Sequence, residues 1–250
     1  MTNESEAERP PAQARPGAVL LDLDGTLVDT VERRVSSWLQ ALDEAGFPTD
    51  RNAVAPLIGS DGRLLARRVA ELAHAELDED RAEAIDQRAG ELFAALNVRP
   101  APLPGARDLL LALDSTGTPW AVATSSRREQ VRASLEALAL PHEPTVIDGT
   151  HVQRAKPEPD LLLLAARRLG VDPTDAWCIG DSTFDMLAAR AARMWPIGVT
   201  TGAADAAALR GAGAAEVLGS LTELIPRFTA PPQAGGYHRR RAARDLPSQA

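Results

Sequence analysis

The amino-acid sequence predicts an α/β protein: a doubly wound parallel sheet into which a smaller α-helical cap domain is inserted. Short apolar runs alternate with amphipathic helical patterns along most of the chain, which favours parallel strands joined by right-handed crossovers. These runs end in polar or glycine-rich residues. The segment 30–99 departs from the alternation, because it has helical patterns and no convincing strand.

The first predicted strand, Ala18–Leu21, is a continuous apolar run, which is typical of a strand buried on both faces. Similar runs predict strands at 120–123, 145–147 and 176–179, and weaker ones at 196–199 and 215–217. Apolar residues at three- and four-residue spacing predict the intervening helices at 106–113, 128–138, 159–169, 183–193 and 204–211. In such a sheet the carboxyl ends of the strands meet at one edge, where ligands bind.

We expect residues 18–29 and 100–228 to form the α/β core and residues 30–99 to form the helical cap. Prolines at positions 100, 102 and 104 stiffen the return from the cap to the core. Residues 1–17 and the basic segment 229–250 are expected to be disordered tails, because both are rich in proline or other residues that bury little surface.

Composition and charge exclude several classes of protein. A hydrophobic share of 44% with 25% charged residues is ordinary for a globular protein. The net charge of -8 argues against nucleic-acid or anionic-membrane partners. The single cysteine, Cys178, excludes an internal disulfide, and no signal peptide or membrane-spanning run is evident. We therefore expect a cytoplasmic protein that is a monomer or a homodimer.

Two carboxylates directly follow the first strand, in the run Asp22-Leu23-Asp24-Gly25-Thr26. Asp22 and Asp24 are consecutive same-side positions, so their side chains approach one space. An aspartate is ionised at neutral pH and can attack phosphorus, while its neighbour handles the proton. The pair predicts a phosphoryl-transfer site.

The other parts that phosphoryl transfer needs follow later strands. Asp181 and Asp185 supply hard oxygen ligands suited to Mg²⁺. Thr124 and Ser125 supply hydroxyl and amide donors near a helix start. Lys156, the only lysine among 27 basic residues, supplies a cation. A metal ion, a cation and such donors are the usual means of offsetting the charge of a phosphoryl group.

In this order the runs 22–29, 124–125, 156–157 and 180–185 resemble the four signatures of the haloacid dehalogenase superfamily. The resemblance extends over roughly residues 18 to 226. The helical insertion looks like the small cap of the phosphoglycolate phosphatase and β-phosphoglucomutase branch. The resemblance implies a Mg²⁺-dependent phosphatase that hydrolyses a small phosphorylated metabolite through an aspartyl-phosphate intermediate.

The resemblance also implies a role for each motif residue. Asp22 would be the nucleophile and Asp24 the general acid and base. Thr124, Ser125 and Lys156 would bind the phosphate. Mg²⁺ would be held by the Asp22 carboxylate, the Asp24 main-chain carbonyl and Asp181, with Asp185 as a supporting ligand.

Two alternative functions stay open at this point. A phosphomutase uses the same aspartyl-phosphate, but mutases of the superfamily commonly rely on a cap lysine, which this chain lacks. Cap arginines such as Arg63, Arg67 or Arg68 could take its place. A noncatalytic binding protein that kept the fold would be expected to have lost one of the motif aspartates, and all are present.

The run Gly59-Ser60-Asp61-Gly62-Arg63 is the candidate for the substrate-facing turn of the cap. Glycine lets the backbone approach a ligand, and Arg63 could meet an anion, so Gly59 and Arg63 are candidate substrate contacts. The alternative is a plain turn between helices. The identity of the phosphorylated substrate is left open by the sequence.

Overall fold

The computed structural model describes residues 15–229. Residues 1–14 and 230–250, which make up most of the two tails expected to be disordered, lie outside the described residues. The contacts of the core begin at Arg15, whose Nε donates a hydrogen bond to the carbonyl oxygen of Arg227 at 3.2 Å. The amide of Gly17 then donates to the carbonyl oxygen of Asp175 at 2.7 Å.

A parallel sheet of six strands forms the centre of the described part of the chain. In chain order, the strands of this sheet and of a separate two-stranded pair are β1 (Ala18–Leu21), β2 (Val28–Asp29), β3 (Ala101–Pro102), β4 (Trp120–Ala123), β5 (Val146–Ile147), β6 (Ala176–Gly180), β7 (Trp195–Val199) and β8 (Glu216–Leu218). The sheet order is β5-β4-β1-β6-β7-β8, with every pair parallel, while β2 and β3 form a separate antiparallel pair. Strands extend outward from β1 in both directions, which confirms the predicted doubly wound core.

Helices connect these strands. They are α1 (Val31–Glu44), α2 (Arg51–Val54), α3 (Gly62–Leu72), α4 (Glu79–Leu96), α5 (Ala106–Thr116), α6 (Arg128–Ala137), α7 (Asp160–Leu169), α8 (Thr183–Ala191), α9 (Ala206–Gly211) and α10 (Ile225–Thr229). The helix predicted at 204–211 begins later, because the Asp205 carboxylate accepts a hydrogen bond from the Ala208 amide and caps it. None of the helices between residues 15 and 229 combines the length and apolar character needed to cross a bilayer.

Both faces of the sheet are covered by helices. Along β1, Val19 and Leu21 point into one apolar cluster and Ala18 and Leu20 into another, because successive strand residues face opposite sides. The first cluster includes the leucines of α5, and the second includes the leucines and alanines of α7 and α8. Burial on both faces explains why this strand is a continuous apolar run.

Helices α1 to α4 have an apolar cluster of their own. Trp38 from α1, Leu65 from α3 and Ile85 from α4 are buried in it. The chain enters this helical unit directly after β2 and leaves it directly before β3, and these two strands pair with each other. The paired strands therefore form the base from which the helical unit extends.

The register of β1 determines which loops become neighbours. Leu21 lies opposite Val122 of β4 on one side and Ile179 of β6 on the other. The amide of Asp22 also donates to the carbonyl oxygen of Ile179 at 2.9 Å. The loops that follow these three adjacent strands consequently converge at the carboxyl edge of the sheet.

Candidate active site

Lys156 brings a positive charge into the centre of this edge. Its Nζ lies 2.5 Å from Oδ1 of Asp22 and 2.7 Å from Oδ1 of Asp185, and it donates to the carbonyl oxygen of Ala123 at 2.6 Å. The lysine side chain is only 1% exposed. Burial alone would lower the pKa of Lys156, but the charges of Asp185 and Asp22 raise it above its ordinary value. The ammonium group is therefore charged and offsets part of the negative charge of two buried carboxylates.

Three buried carboxylates gather around this lysine. Asp22, Asp181 and Asp185 each offer an oxygen, and these oxygens all lie within 4.8 Å of one another. Burial, followed by the charge of Asp185, raises the pKa of Asp181 to about 7. Burial also raises the pKa of Asp22 well above its ordinary value, with Asp185 and Asp181 adding to the rise and Lys156 opposing it. The cluster thus carries more negative charge than its surroundings offset.

The donor set of this cluster fits a divalent cation. Asp185 uses Oδ2 to accept hydrogen bonds from the amide and hydroxyl of Ser182, at 3.0 and 2.6 Å, while its buried Oδ1 accepts no hydrogen bond from the part of the chain that the structure describes. Within residues 15–229, the ion pair with Lys156 is the one polar contact described for that oxygen. A set of hard carboxylate oxygens with excess negative charge is what Mg²⁺ and similar ions prefer. The residues present therefore suit a metal ion at this position.

The side chain of Asp24 lies apart from the three clustered carboxylates and faces the helical unit. Its Oδ1 accepts a hydrogen bond from the Thr30 hydroxyl at 2.6 Å. Its Oδ2 accepts bonds from the Arg34 Nη2 at 2.8 Å and from the Ser126 hydroxyl at 3.0 Å. Each oxygen of this carboxylate thus accepts at least one hydrogen bond.

Arg34 is a residue of this site that the sequence analysis missed. Besides its ion pair with Asp24, it donates to the Ser126 hydroxyl at 2.6 Å and to Oε1 of Gln130 at 3.0 Å. Its guanidinium group lies 3.4 Å from the centroid of the Phe93 ring, a cation–π contact. Arg33 and Arg34 follow Thr30 by three and four residues and share its helix face, so the sequence signal points to the pair and does not single out Arg34.

A small cavity joins these groups. Its wall includes Asp22, Asp24, Arg34 and the turns at 58–60 and 124–126. The volume that the centres of water molecules can reach inside it is about 40 Å³. This is room for a few waters, since one water needs about 10–15 Å³ by this measure. The helical unit therefore covers the carboxylate cluster closely.

Thr124 and Ser125 line this cavity with their hydroxyl groups partly engaged. The Thr124 Oγ1 accepts a hydrogen bond from the Ser126 amide at 3.2 Å. The Ser125 hydroxyl donates to the carbonyl oxygen of Gly59 at 3.0 Å, which joins the core to the turn before α3. Gly59 has φ +94°, and a Cβ there would lie 2.6 Å from Oγ of Ser182. Only glycine fits this close approach without strain.

Arg63, the other candidate substrate contact, lies outside the wall of this cavity. Its Nη2 pairs with Oδ2 of Asp61 at 2.9 Å and its Nη1 lies 3.3 Å from Glu79. It faces a second, wider cleft between the helical unit and the core. The structure therefore brings Asp22, Asp24, Thr124, Ser125, Lys156, Asp181, Asp185 and Gly59 together, and it places Arg63 to one side.

Comparison with known proteins identifies relatives of this chain. The family model described as "Haloacid dehalogenase-like hydrolase" matches residues 19–199. The chain is 33% identical to the fructose-1-phosphate phosphatase YqaB of Escherichia coli (strain K12), over 72% of this chain and 94% of that protein. It is 30% identical to phosphoglycolate phosphatase 1 of Pseudomonas aeruginosa, over 84% of this chain and 79% of that protein.

A solved structure resembles this chain in its fold as well as in part of its sequence. The crystal structure of a hydrolase from Pseudomonas syringae superposes with a TM-score of 0.80 at 31% identity, covering 83% of this chain and 95% of that one. The family model covers well over half of the chain, and the two curated relatives and this structure agree with it. The chain belongs to the haloacid dehalogenase-like hydrolases.

Proposed function

We propose that this hydrolase is a Mg²⁺-dependent phosphatase that acts on a small phosphorylated metabolite and forms a transient aspartyl-phosphate on Asp22. The observation that carries the proposal is the contact of 2.5 Å between Lys156 Nζ and Asp22, inside a cluster of three buried carboxylates. An aspartate at the end of the central strand, beside a cation, is placed to attack phosphorus. The names of the two relatives, both phosphatases, support the reaction class.

Asp22, Asp181 and Asp185 are the carboxylates that would hold the metal ion, with the main-chain carbonyl of Asp24 as a further ligand. Mg²⁺ bound there supplies positive charge that offsets the negative charge on the phosphoryl oxygens. It would also offset the burial of charge and the repulsion between carboxylates, which together raise the pKa values of Asp22 and Asp181.

In the first step, a carboxylate oxygen of Asp22 attacks phosphorus and the bond from phosphorus to the ester oxygen breaks. Protonated Asp24 gives its proton to the departing oxygen, so the product is a neutral alcohol. Lys156, whose raised pKa keeps it charged, would bind a phosphoryl oxygen together with Thr124 and Ser125.

In the second step, water attacks the phosphorus of the aspartyl-phosphate and the bond to the Asp22 oxygen breaks. Ionised Asp24 accepts the proton of that water, which returns both aspartates to their starting forms and releases phosphate. The hydrogen bonds from Thr30, Arg34 and Ser126 hold the Asp24 carboxyl group in one position for both steps.

The described cap gives less support to a phosphomutase. The three arginines that could replace a cap lysine are each paired with a carboxylate: Arg63 with Asp61, Arg67 with Glu79 and Arg68 with Glu71. None of the three lines the small cavity. The net charge of -8 further supports a small-molecule substrate over nucleic-acid or membrane partners. We propose a cytoplasmic enzyme that is a monomer or a homodimer.

The test is release of inorganic phosphate from a panel of sugar phosphates, polyol phosphates, phosphoglycolate and nucleoside monophosphates, with and without Mg²⁺. We expect Mg²⁺-dependent release that Asp22→Asn abolishes. The matched control is Asp108→Asn, the same change at an exposed aspartate of α5. Unchanged release by Asp22→Asn would overturn the assignment of the nucleophile, and no release by the wild-type protein would favour a noncatalytic binding protein.

A further inference from the structure

The start of α3 makes hydrogen bonds to the backbone of the core segment that leads into Lys156. The Asp61 amide donates to the carbonyl oxygen of Lys156 at 2.8 Å, and Oδ2 of Asp61 accepts from the Ala155 amide at 3.3 Å. The Nη2 of Arg63 donates to the carbonyl oxygen of Gln153 at 2.7 Å. Two cap residues thus make three hydrogen bonds to the main chain of residues 153–156.

The two cap residues are also joined to each other. Oδ1 of Asp61 accepts hydrogen bonds from the amide and the Nε of Arg63, at 3.0 and 3.1 Å, and Oδ2 pairs with Nη2. Burial would raise the pKa of Asp61, but the bonds from Arg63 bring it below its ordinary value. Both groups are therefore charged at neutral pH, and their bonds belong to the stronger, charge-assisted class.

The segment 153–156 has no regular secondary structure of its own. Residues 152–159 lie between a short helical turn and α7 and belong to neither a helix nor a strand. Backbone groups there have no partners in a ladder, so their conformation depends on bonds from elsewhere. The cap supplies three of those bonds.

This anchoring matters because a lysine side chain is long and flexible. The Lys156 Nζ lies 2.5 Å from Asp22, but four carbon atoms separate it from the backbone. If the backbone moved, this side chain would have to change its rotamers to keep the ammonium group between the carboxylates, and fewer of its conformations would place it there. The carbonyl group of Lys156 is held by the cap at 2.8 Å, while its ammonium group is held by the core.

We propose that Asp61 and Arg63 form a clip that positions Lys156 when the cap closes over the site. Both act through Lys156 and are positioning residues; the inference rests on the proposed role of Lys156 in phosphate binding. It also gives Arg63 a function that does not require contact with the substrate. Closure of the cap and completion of the catalytic site are then one event.

The variants that test the clip are Arg63→Gln and Asp61→Ala. Arg63→Gln keeps Asp61 as the N-terminal capping residue of α3, whereas Asp61→Ala removes the whole clip. Arg88→Gln is the matched control, because Arg88 is also a cap arginine in ion pairs, with Glu44 and Glu91, that involve the cap alone. Two experiments are done on each variant: steady-state kinetics with p-nitrophenyl phosphate, which gives kcat and KM, and NMR measurement of the hydrogen exchange rate of the Ala155 amide.

We expect both clip variants to speed exchange at Ala155 and to lower kcat about 10- to 100-fold, the range for losing a hydrogen bond to a charged group. Arg63→Lys should restore part of kcat, because lysine can reach either Asp61 or the carbonyl oxygen of Gln153. Arg88→Gln should leave exchange and kcat within about twofold. If Arg63→Gln raises KM with kcat unchanged, Arg63 binds substrate and the clip is wrong.

The exchange measurement separates this proposal from the proposed function. If the wild-type protein releases no phosphate but the clip variants still loosen the Ala155 amide, the clip stands and the phosphatase assignment fails. If wild-type activity is found and exchange at Ala155 is unaffected by both clip variants, the clip fails and the phosphatase assignment stands.

Discussion

Lys156 Nζ lies 2.5 Å from Oδ1 of Asp22, although 134 positions of sequence separate the two residues. The lysine is the only one in the chain, and its side chain is almost entirely buried. It also lies 2.7 Å from Asp185. One ammonium group thus pairs with two carboxylates in the centre of the site, and we expect the stability of the protein and the proposed chemistry both to depend on it.

Replacing this lysine should therefore cost stability as well as activity. We expect Lys156→Met to lower the free energy of unfolding by about 3–5 kcal/mol, because removing one partner leaves buried charge without compensation. Phosphate release should be lost. Urea denaturation and a phosphate assay measure the two effects. Arg154→Met is the control: this exposed arginine pairs with Glu158 and Asp160, and its loss should cost about 1 kcal/mol or less.

Adding Mg²⁺ should return part of the stability of Lys156→Met, since a cation in the carboxylate cluster replaces the missing charge, but it should not return the activity. A variant that unfolds at the wild-type urea concentration would mean that the lysine does not compensate the carboxylates.

The metal affinity should depend on pH through Asp181. Its pKa is raised from 3.8 to about 7, mainly by burial and by Asp185, so the metal-free protein holds a proton there at pH 6. Mg²⁺ must displace that proton. We expect the affinity to rise up to about tenfold per pH unit below pH 7 and to level off above it. Calorimetry at pH 6 in buffers of different ionisation enthalpy should register proton release.

The stability of the metal-free protein should show the opposite trend with pH. Between about pH 4 and pH 7 the folded state holds a proton on Asp181 that the unfolded state has released, so this group makes the free energy of unfolding fall as pH rises. Mg²⁺ should reduce that fall. Urea denaturation across this pH range measures the fall in stability. For the metal affinity predicted above, equal Mg²⁺ affinity at pH 5.5 and pH 7 would contradict the role given to Asp181.

Replacing Arg34 should lower the catalytic efficiency far more than replacing its neighbour Arg33. We expect Arg34→Gln to lower kcat/KM by about 10- to 100-fold, because charge-assisted bonds to Asp24 and Ser126 from the cap are lost. Arg33→Gln is the control, since Arg33 is half-buried and donates only to the carbonyl oxygen of Asp29 among the bonds that the structure describes. Steady-state kinetics on both variants would decide; equal effects would mean that the Asp24 contact is unimportant.

Gly59 offers a test of the close packing between cap and core. Gly59→Ala and Gly46→Ala should each cost about 1–2 kcal/mol of stability, because both glycines have a left-handed backbone, with φ +94° and +87°. At Gly46 nothing lies within 4 Å of an added Cβ, whereas at Gly59 the Ser182 hydroxyl lies 2.6 Å away. Gly59→Ala alone should therefore lower kcat, as steady-state assays would show. Equal kcat values in the two variants would argue against tight closure.

The sequence predicts the core of this protein well because its signals are local. The apolar run Ala18–Leu21 identifies a strand buried on both faces, and the polar residues that follow it mark the edge where ligands bind. The same reasoning explains why Asp22, Thr124 and Asp181 are neighbours: each follows one of three adjacent strands.

The cap side of the site was harder to predict because its contacts join distant parts of the chain. Arg33 and Arg34 look alike in sequence, and only the placement of α1 against the core decides which one reaches Asp24. Arg63 looked like an anion ligand, yet its partners are Asp61, on the same turn, and a carbonyl group 90 positions away. Periodicity determines the face of a helix and leaves its orientation on another domain unspecified.

The most direct test of the central claim is to trap the phosphoryl group on the enzyme. The protein is mixed with p-nitrophenyl phosphate and Mg²⁺, quenched in acid within milliseconds, and digested for peptide mass spectrometry. The account predicts a phosphorylated peptide with the modification on Asp22, absent from Asp22→Asn and unchanged in Asp108→Asn. Turnover without a phosphorylated peptide, or a phosphoryl group on another residue, would contradict it.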